Sequence, residues 1–381
     1  MKCTLLALLV VLCWSSTWAK TWYVKPDGTG DAPTIGAAID SAAAGDRVLV
    51  AAGTYADTSR WSPEGTAMLI MKSGITLISE SGPYSTNLDG GGVMRVIICA
   101  YADSNTVVDG FTIRNGYATG TPDRGGGLYC YYASPKVANC EFVENVAEYG
   151  GAIACSNCDH ARFANCNFYD NQSTSSGGAV EARFTPARIV NCSFVNNTAS
   201  HDGGGLRLFA SDGVVVWCRF LGNQAGHNGG GISCLEDESS ITSCSFCLNE
   251  ASLGSGISFS VESSSTVGNN IIVFGVEGNA VDCAVGAPAP VLACCDIFGN
   301  AGGDWTGCIA DQLGIDGNFS ADPLFCDIVS ADLTMEECSP CVAGNHPYGF
   351  PCGTIGADQP GCGCGETTDG ATWGAIKALY R

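Results

Sequence analysis

A unit of 26 residues recurs along the middle of the chain, between Gly125 and Gly278. Each copy contains a cysteine, a phenylalanine two positions later and an asparagine three positions after that. Self-similarity at a period of roughly 20 to 50 residues is the signature of a solenoid, in which each copy packs on its neighbours. The three rows are Cys140, Cys166, Cys192, Cys218 and Cys244; Phe142, Phe168, Phe194, Phe220 and Phe246; and Asn145, Asn171, Asn197, Asn223 and Asn249.

The cysteine and the phenylalanine of one copy point to the same side of the chain, because side chains alternate along a β-strand. In a coil of short strands that side is the interior, and stacking the coils about 4.8 Å apart places each residue on its counterpart. We therefore predict one interior ladder of cysteines and one of phenylalanines. The asparagines suit a tight turn, since asparagine tolerates the left-handed conformation and its amide can bond to the copies above and below.

A second interior ladder is predicted two residues after the aliphatic residue that follows each glycine cluster. Its members range from cysteine to alanine, leucine and phenylalanine, so the position requires burial and not a thiol. Two other interpretations of the repeat cysteines remain open. One is a disulfide between neighbouring coils. The other is half of a metal or redox site at Cys155, Cys158 and His160, although no second half follows nearby. The ladder is Cys130, Cys155, Ala182, Leu208, Cys234 and Phe259.

The segment before the repeats begins with a predicted helix from Thr34 to Ala42, with Thr34 as its N-cap and Gly45 as its stop. Such a helix would cover the open end of the first coil. Helix and following strand resemble the entrance of the pectin-lyase-like right-handed parallel β-helix proteins in the pattern Ile35, Ala38, Ile39, Ala42, Val48, Val50, Gly53, Thr54 and Tyr55.

The repeats carry a second resemblance. The glycine clusters and phenylalanine-x-x-asparagine motifs of residues 125–260 are similar to the repeats of chlamydial polymorphic outer membrane proteins. The leucine spacing of leucine-rich repeats is absent. The two resemblances imply an all-β, right-handed parallel β-helix solenoid with coils of about 26 residues and an N-terminal capping helix. They are specific for fold and weak for function.

Residues 1–19 are predicted to be a signal peptide, because Lys2 precedes an apolar run from Leu5 to Trp14 and small residues end it. The β-helix domain is predicted over residues 20–360, with its regular repeats at 125–278.

The C-terminal part of this domain is predicted to differ from the rest. Residues 279–360 form irregular, cysteine-rich closing coils, and ten cysteines lie between Cys283 and Cys364 without ladder spacing. Disulfides are predicted there, with a pairing that spacing does not reveal. Residues 361–381 are a glycine-rich linker and a tail that acts either as a cap or as a sorting signal.

Acidic residues outnumber basic ones by 38 to 17, and the formal net charge is -21. This field argues against nucleic acid and anionic membranes as partners and makes Ca²⁺ or a cationic partner a candidate. The simpler explanation is an acidic surface that keeps an exported protein soluble. Apart from Ca²⁺, no cofactor is expected. No stretch after the predicted signal peptide reaches the roughly 18 consecutive apolar residues of a membrane helix. We expect a monomer that is secreted or held at the cell surface after bacterial-type export.

Outward residues beside the second ladder are the candidate ligand contacts. Aromatic planes with charged groups between them suit sugar rings, so the strip is predicted to bind a polysaccharide or a cell-surface glycan. The alternative is a plain ion pair between Glu181 and Arg207 on adjacent coils. The candidate strip is Tyr129, Tyr131, Glu181, Arg183, Arg207 and Phe209.

The favoured function is that of a non-catalytic, adhesin-like or carbohydrate-binding protein. The alternative is a polysaccharide lyase or glycosidase that acts on an acidic polysaccharide, with Arg183 or Arg207 as the base and Glu181 as the carboxylate. A lyase of this fold would need Ca²⁺ held by clustered carboxylates, and a hydrolase would need a close pair of acids. Outward aspartates are missing from the regular coils, so no catalytic residue and no metal ligand is assigned.

Overall fold

A computed structural model describes residues 19–118, 120–263 and 265–365 of the chain. The predicted signal peptide, apart from Ala19, and the tail after residue 365 lie outside the described residues. Within them the chain winds as a parallel β-solenoid, and successive coils add one short strand to each of three long sheets. The predicted all-β solenoid is confirmed.

The three long sheets are named A, B and C. Sheet A contains Thr21–Val24, Arg47–Val50, Thr76–Ser79, Val107–Asp109, Lys136–Ala138, Arg162–Ala164, Arg188–Val190, Val214–Val216, Ser240–Thr242, Thr266–Gly268 and Val291–Ala293. Sheet B contains Gly53–Tyr55, Thr86–Asp89, Thr112–Arg114, Glu141–Val143, Asn167–Tyr169, Ser193–Val195, Arg219–Leu221, Ser245–Cys247, Ile271–Val273 and Asp296–Phe298. Sheet C contains Arg60–Ser62, Gly65–Met71, Arg95–Ala100, Leu128–Tyr131, Ile153–Ser156, Val180–Arg183, Leu206–Phe209, Ile232–Leu235, Ile257–Phe259 and Val281–Cys283.

Smaller elements complete the coils and close the far end. A short sheet at the corner between B and C contains Val146–Tyr149, Gln172–Ser176, Thr198–Ala199 and Gln224–Ala225. A terminal sheet contains Phe325–Asp327, Asp332–Glu336 and Pro360–Cys362, and 3-10 turns lie at Pro83–Ser85 and Gly307–Ile309.

The predicted capping helix is present at Ile35–Ser41. The Thr34 hydroxyl accepts a hydrogen bond from the Ala37 amide at 3.1 Å, as an N-cap should. Ile35 and Ile39 are buried against the first coils, so the helix covers the end of the core. No helix among the described residues is long and apolar enough to span a membrane.

The interior ladders form as the period predicts. The five phenylalanine rings stack with centroid distances of 5.1, 4.7, 4.6 and 4.8 Å, and each stacked pair contributes about 0.5–1.5 kcal/mol beyond its buried area. The cysteine ladder is buried and its thiols are free, so the alternative of disulfides between coils is wrong. Burial raises the pKa of the Cys140, Cys192 and Cys218 thiols, which leaves them protonated and inert. The second ladder also pairs in register.

The asparagine ladder binds the coils through its side chains. The Asn197 Oδ1 atom accepts the Asn171 amide at 3.0 Å, and Asn197 Nδ2 donates to the Phe168 carbonyl at 3.0 Å and to Asn223 Oδ1 at 2.9 Å. The same bonds recur from Asn145 to Asn249. All five side chains are buried, so each amide satisfies backbone groups that water cannot reach.

One expectation about this ladder is corrected. The left-handed residue of the turn is the one before the asparagine, with φ of 54° at Glu144, 54° at Asp170 and 55° at Asn196. The asparagine itself follows the turn and faces inward. Its selection therefore rests on its hydrogen-bonding capacity and not on its tolerance of positive φ.

Replacing Asn197 with alanine tests this role. The change leaves the Asn171 amide and the Phe168 carbonyl without partners in the core, so we expect a loss of about 2–4 kcal/mol in the free energy of unfolding, measured by urea denaturation. The matched control is Asn191→Gly, which removes an exposed amide ladder bond and keeps a residue suited to its φ of 50°. Equal losses for the two variants would contradict the assignment.

The closing coils are held by four disulfides, Cys283–Cys308, Cys294–Cys352, Cys326–Cys362 and Cys338–Cys364. The predicted cross-linking is confirmed for all but Cys295 and Cys341, which are free and buried. Cys295 instead extends the interior cysteine ladder: its Sγ lies 3.4 Å from the Ala293 carbonyl, the same contact that Cys166 makes with Ala164. The interior row therefore continues beyond Cys244 through Asn270 to Cys295, although the last step is 25 residues instead of 26.

The final segment folds back on sheet B. The Arg219 guanidinium pairs with Asp358, and the Ala357 amide donates to Ser245 Oγ at 2.9 Å. This segment covers Asp296, whose Oδ1 accepts the Ala321 amide at 3.0 Å while the Cys341 thiol donates to Oδ2 at 3.2 Å. Burial raises the pKa of Asp296 to about 8.

This raised pKa predicts a pH dependence of stability. A carboxyl group that is protonated in the folded state and ionised in the unfolded state loses stabilising effect as pH rises from its ordinary pKa to its folded pKa. We therefore expect Asp296 to lower the free energy of unfolding progressively between about pH 4 and about pH 8. Urea denaturation of Asp296→Asn should show a flatter profile over this window, whereas exposed Asp311→Asn should follow the parent protein. A parallel profile for Asp296→Asn would disprove the assignment.

Candidate functional site

The outward residues of sheet C form straight rows, because neighbouring coils pair in register. The rows follow the spacing expected from the sequence, and the first row continues to an aspartate that the sequence analysis missed. One row is Tyr129, Ala154, Glu181, Arg207, Ser233, Ser258 and Asp282, and the other is Tyr131, Ser156, Arg183, Phe209 and Leu235.

The first row is closed to ligands over much of its length. Tyr129 is 4% exposed and Glu181 is fully buried, which corrects the expectation that all six strip residues share an open face. Glu181 pairs with Arg207 at 3.1 Å and also with Arg124. Burial raises the pKa of the Glu181 carboxyl, and the two guanidinium groups oppose that rise. The expected Glu181–Arg207 ion pair is thus present inside the protein.

The segment before the first regular coil provides this cover. The Arg95 side chain is 2% exposed, donates to the carbonyls of Pro122, Arg124 and Gly125 at 2.7 to 3.0 Å, and lies 5.2 Å from the Tyr129 ring centre. Arg124 in turn stacks on the Tyr149 ring at 4.4 Å. These contacts fix the segment over Glu181 and give the cluster a structural role.

An aromatic surface remains open where sheet C turns towards sheet A. We call its five rings the aromatic corner: Tyr101, Tyr131, Tyr132, Phe184 and Phe209. The ring centroids of Tyr131 lie 5.7 Å from Tyr101 and 4.7 Å from Tyr132, and Phe184 lies 5.0 Å from Phe209. Tyr101, Tyr132 and Phe184 are 64%, 52% and 45% exposed. These rings form a ridge of apolar planes at the surface.

Arg183 adds a cation to the aromatic corner. Its guanidinium lies 5.0 Å from the Phe184 centroid and 5.2 Å from the Phe209 centroid, within cation–π range. In the coil between those of Tyr132 and Phe184, the equivalent residue is Asn157. A depression of about 470 Å³ opens there, beside His160. The corner therefore combines aromatic faces, hydrogen-bond donors and a recess.

Backbone conformation explains why sequence reasoning found only part of this surface. Strict alternation would turn Tyr132 inward beside Cys130. Its φ of 45° ends the strand and sends the ring outward, as do the φ of 54° at Tyr101 and 49° at Phe184. The signal available in the sequence was an aromatic residue directly after an outward aromatic or arginine, as in Tyr131–Tyr132 and Arg183–Phe184.

A separate groove of about 170 Å³ follows the first row beyond Arg207. It is lined by Ser233, Ser258, Asp282 and the corner residue Asp202, whose Oδ1 accepts from Asn228 at 2.8 Å. The coil that holds Asp202 is three coils from that of Asp282, so the two carboxylates are about 14 Å apart along the axis at about 4.8 Å per coil. That exceeds the roughly 5–10 Å separation of the two acids in glycosidases.

Close grouping of three potential metal ligands occurs at one place among the described residues. The one close group of three ligating residues among them is Glu336 with Cys338 and Cys364, and these cysteines form a disulfide. Calcium selects six to eight oxygen ligands, which this group does not supply. Cys155, Cys158 and His160 likewise form no close group in the described part of the chain.

Comparison with known proteins agrees with this architecture. Residues 70–217 match the family model of the right handed beta helix region, and residues 218–235 match the Chlamydia polymorphic membrane protein repeat. The chain folds as a right-handed parallel β-helix. No curated protein matches it. Among solved structures, the β-helix is similar to the pectate lyase Pel9A at 14% identity and a TM-score of 0.46, covering 90% of this chain and 96% of the lyase.

Replacing Glu181 with alanine separates a structural from a ligand-binding role. The change leaves two partly buried arginines facing the cavity of a fully buried counter-ion, so we expect a loss of about 3 kcal/mol in the free energy of unfolding. The exposed Glu148→Ala variant should change stability by less than about 0.5 kcal/mol. Unchanged stability of Glu181→Ala, measured by urea denaturation, would contradict the structural assignment.

Proposed function

We propose that this protein is a non-catalytic carbohydrate-binding protein, adhesin-like in role, that acts outside the cell or at its surface. The observation that carries the proposal is the exposed aromatic corner, with Arg183 beside its two phenylalanine rings. Aromatic rings offer flat apolar faces with a small loss of side-chain freedom, and the phenol groups and the guanidinium donate hydrogen bonds to hydroxyl groups. A sugar ring needs both kinds of contact.

The exposure of these rings supports a role for them in contacts outside the chain. A non-glycine residue in the left-handed region costs about 1–2 kcal/mol. Tyr132 and Phe184 share this conformation with Asn157, Ala210 and Glu236 at the same corner of neighbouring coils, so the cost belongs to the corner and not to the rings. Neither ring adds to the buried core, since both are about half exposed. Exposed apolar area of this kind is typical of binding surfaces.

Location outside the cell is supported by three observations. The signal-like N-terminus predicts export, the closing coils contain four disulfides, and such bonds persist in oxidising compartments. The repeat matched at residues 218–235 takes its name from a polymorphic membrane protein of Chlamydia.

A binding role fits the site better than cleavage does. Arg207, one of the two candidate bases, is held by Glu181 at 3.1 Å, and Arg183, the other, stacks between two phenylalanine rings. Neither faces a cluster of carboxylates among the described residues. The groove acids are about 14 Å apart along the axis at about 4.8 Å per coil, so they are not paired for acid–base work.

Glycan-array binding of the mature protein tests the proposal. Each stacked ring contributes about 1 kcal/mol, so the double variant Tyr132→Ala/Phe184→Ala should bind its glycan about thirtyfold more weakly. Tyr84→Ala is the control, because Tyr84 is 84% exposed but lies near sheet B. Equal affinity of the double variant and the parent would disprove the role of the corner.

An activity assay tests the alternative. We expect no rise in ultraviolet absorbance from unsaturated product when the protein is incubated with pectate or alginate and Ca²⁺. Product formation that is lost in Arg183→Ala or Arg207→Ala would replace the binding function with a lyase.

A further inference from the structure

Three basic residues stack on successive coils of sheet A. Lys136 pairs in register with Arg162, and Arg162 with Arg188, so the three occupy one row. The next residue of each strand is buried, which places the three side chains on the outer face, and all three are exposed. We call this row the cationic ladder.

The cationic ladder is positively charged, whereas the chain as a whole carries a net negative charge. Like charges directly opposite each other in a sheet destabilise it, and coils about 4.8 Å apart bring these cations close together. The chain has 38 acidic residues and 17 basic ones, yet none of the ion pairs among the described residues involves the ladder. Arg114, Arg124, Arg207 and Arg219, by contrast, each pair with a carboxylate.

The surroundings of the ladder define a surface with two borders. On one side lies the depression beside the aromatic corner, which is lined by Asn157, Asp159 and His160 and ends two residues before Arg162. On the other side lies an exposed row of asparagines, in which Asn165 Nδ2 donates to Asn139 Oδ1 at 3.2 Å and Asn191 Nδ2 to Asn165 Oδ1 at 2.9 Å. Polar amides and positive charges thus run side by side along the axis, with the carboxylates of Asp109 and Asp159 at the borders.

From this arrangement we propose that the cationic ladder binds a linear acidic polysaccharide, which lies along the solenoid axis and presents one carboxylate or sulfate group to each coil. The inference builds on the proposed function, because it assigns a charge to the glycan. Three cations in a line with one repeat between them match a polymer with regularly spaced anions, and a compact anion would contact fewer of them. Guanidinium groups bind carboxylate and sulfate oxygens through paired hydrogen bonds.

Charge screening and the spacing of the anions both bear on which polyanion the ladder binds. The net negative charge of the protein repels polyanions at long range, but at physiological ionic strength the screening length is about 8 Å, so the adjacent ladder dominates. Duplex DNA is a poorer fit, because each strand advances about 3.4 Å per phosphate along the helix axis and winds around that axis, so its phosphates do not match coils about 4.8 Å apart.

The test compares charge-matched variants of the full mature chain. Titration with dextran sulfate and with polygalacturonate should show at least tenfold weaker binding for Arg162→Gln/Arg188→Gln. The slope of log affinity against log salt should become shallower by about one to two units, since two counter-ion contacts are lost. The control is Lys25→Gln/Arg47→Gln, which removes two exposed cations, one of them on the same outward row three coils away. It should change binding less than threefold.

Folding and specificity are checked with the same proteins. The ladder variant should keep or raise the thermal midpoint, because it relieves like-charge repulsion. Equal weakening by both charge variants, or tighter binding to a single-stranded DNA oligonucleotide than to either polysaccharide, would overturn the proposal.

The proposal and the proposed function can fail separately. The ladder variant should leave the contribution of Tyr132 and Phe184 intact. If the Tyr132→Ala/Phe184→Ala variant binds dextran sulfate like the parent and the ladder variant does not, the ladder assignment stands and the aromatic corner is excluded. If the ladder variant binds like the parent, the ladder assignment is wrong whatever the corner variant shows.

Discussion

Hydrogen bonding between successive coils is the constraint on which the rest of this structure depends. Each short strand has to satisfy its backbone groups on the coils above and below, and the buried asparagine row does the same for the turn between sheet B and the following corner. Once this register is fixed, every residue lies on its counterpart about 4.8 Å away. Stacked phenylalanine rings and buried free thiols follow from that geometry and need no function of their own.

The same register gives the protein a surface built of rows. Rows that face a covering segment become structural, as Glu181 does when Arg124 and Arg207 enclose it. Rows that no segment covers leave their side chains exposed to solvent, as in the aromatic corner and the cationic ladder. Because the scaffold is rigid and periodic, such rows favour an extended ligand with a repeat of its own. This periodic surface is the basis of the binding role proposed above.

The fold could be predicted almost entirely from the sequence, whereas the site could be predicted only in part. A period of 26 residues fixed the ladders, the register and the strip rows, because stacking converts sequence spacing directly into contacts. The capping helix at Ile35–Ser41 also follows from local spacing. Exposure did not follow, since the cover over Tyr129 and Glu181 comes from Arg95 and the segment around Arg124, and neither belongs to the repeats. Asp282 was missed because its coil departs from the period.

The sequence by itself determined the solenoid, its interior ladders and the presence of disulfides in the closing coils, because burial and periodicity are local, repeated signals. Only the tertiary structure decided which disulfides form, that Cys295 belongs to the interior ladder, and that Tyr101, Tyr132 and Phe184 face solvent. The pairing depends on contacts between distant segments. The direction of the rings depends on a positive φ at the strand end, which spacing alone does not encode.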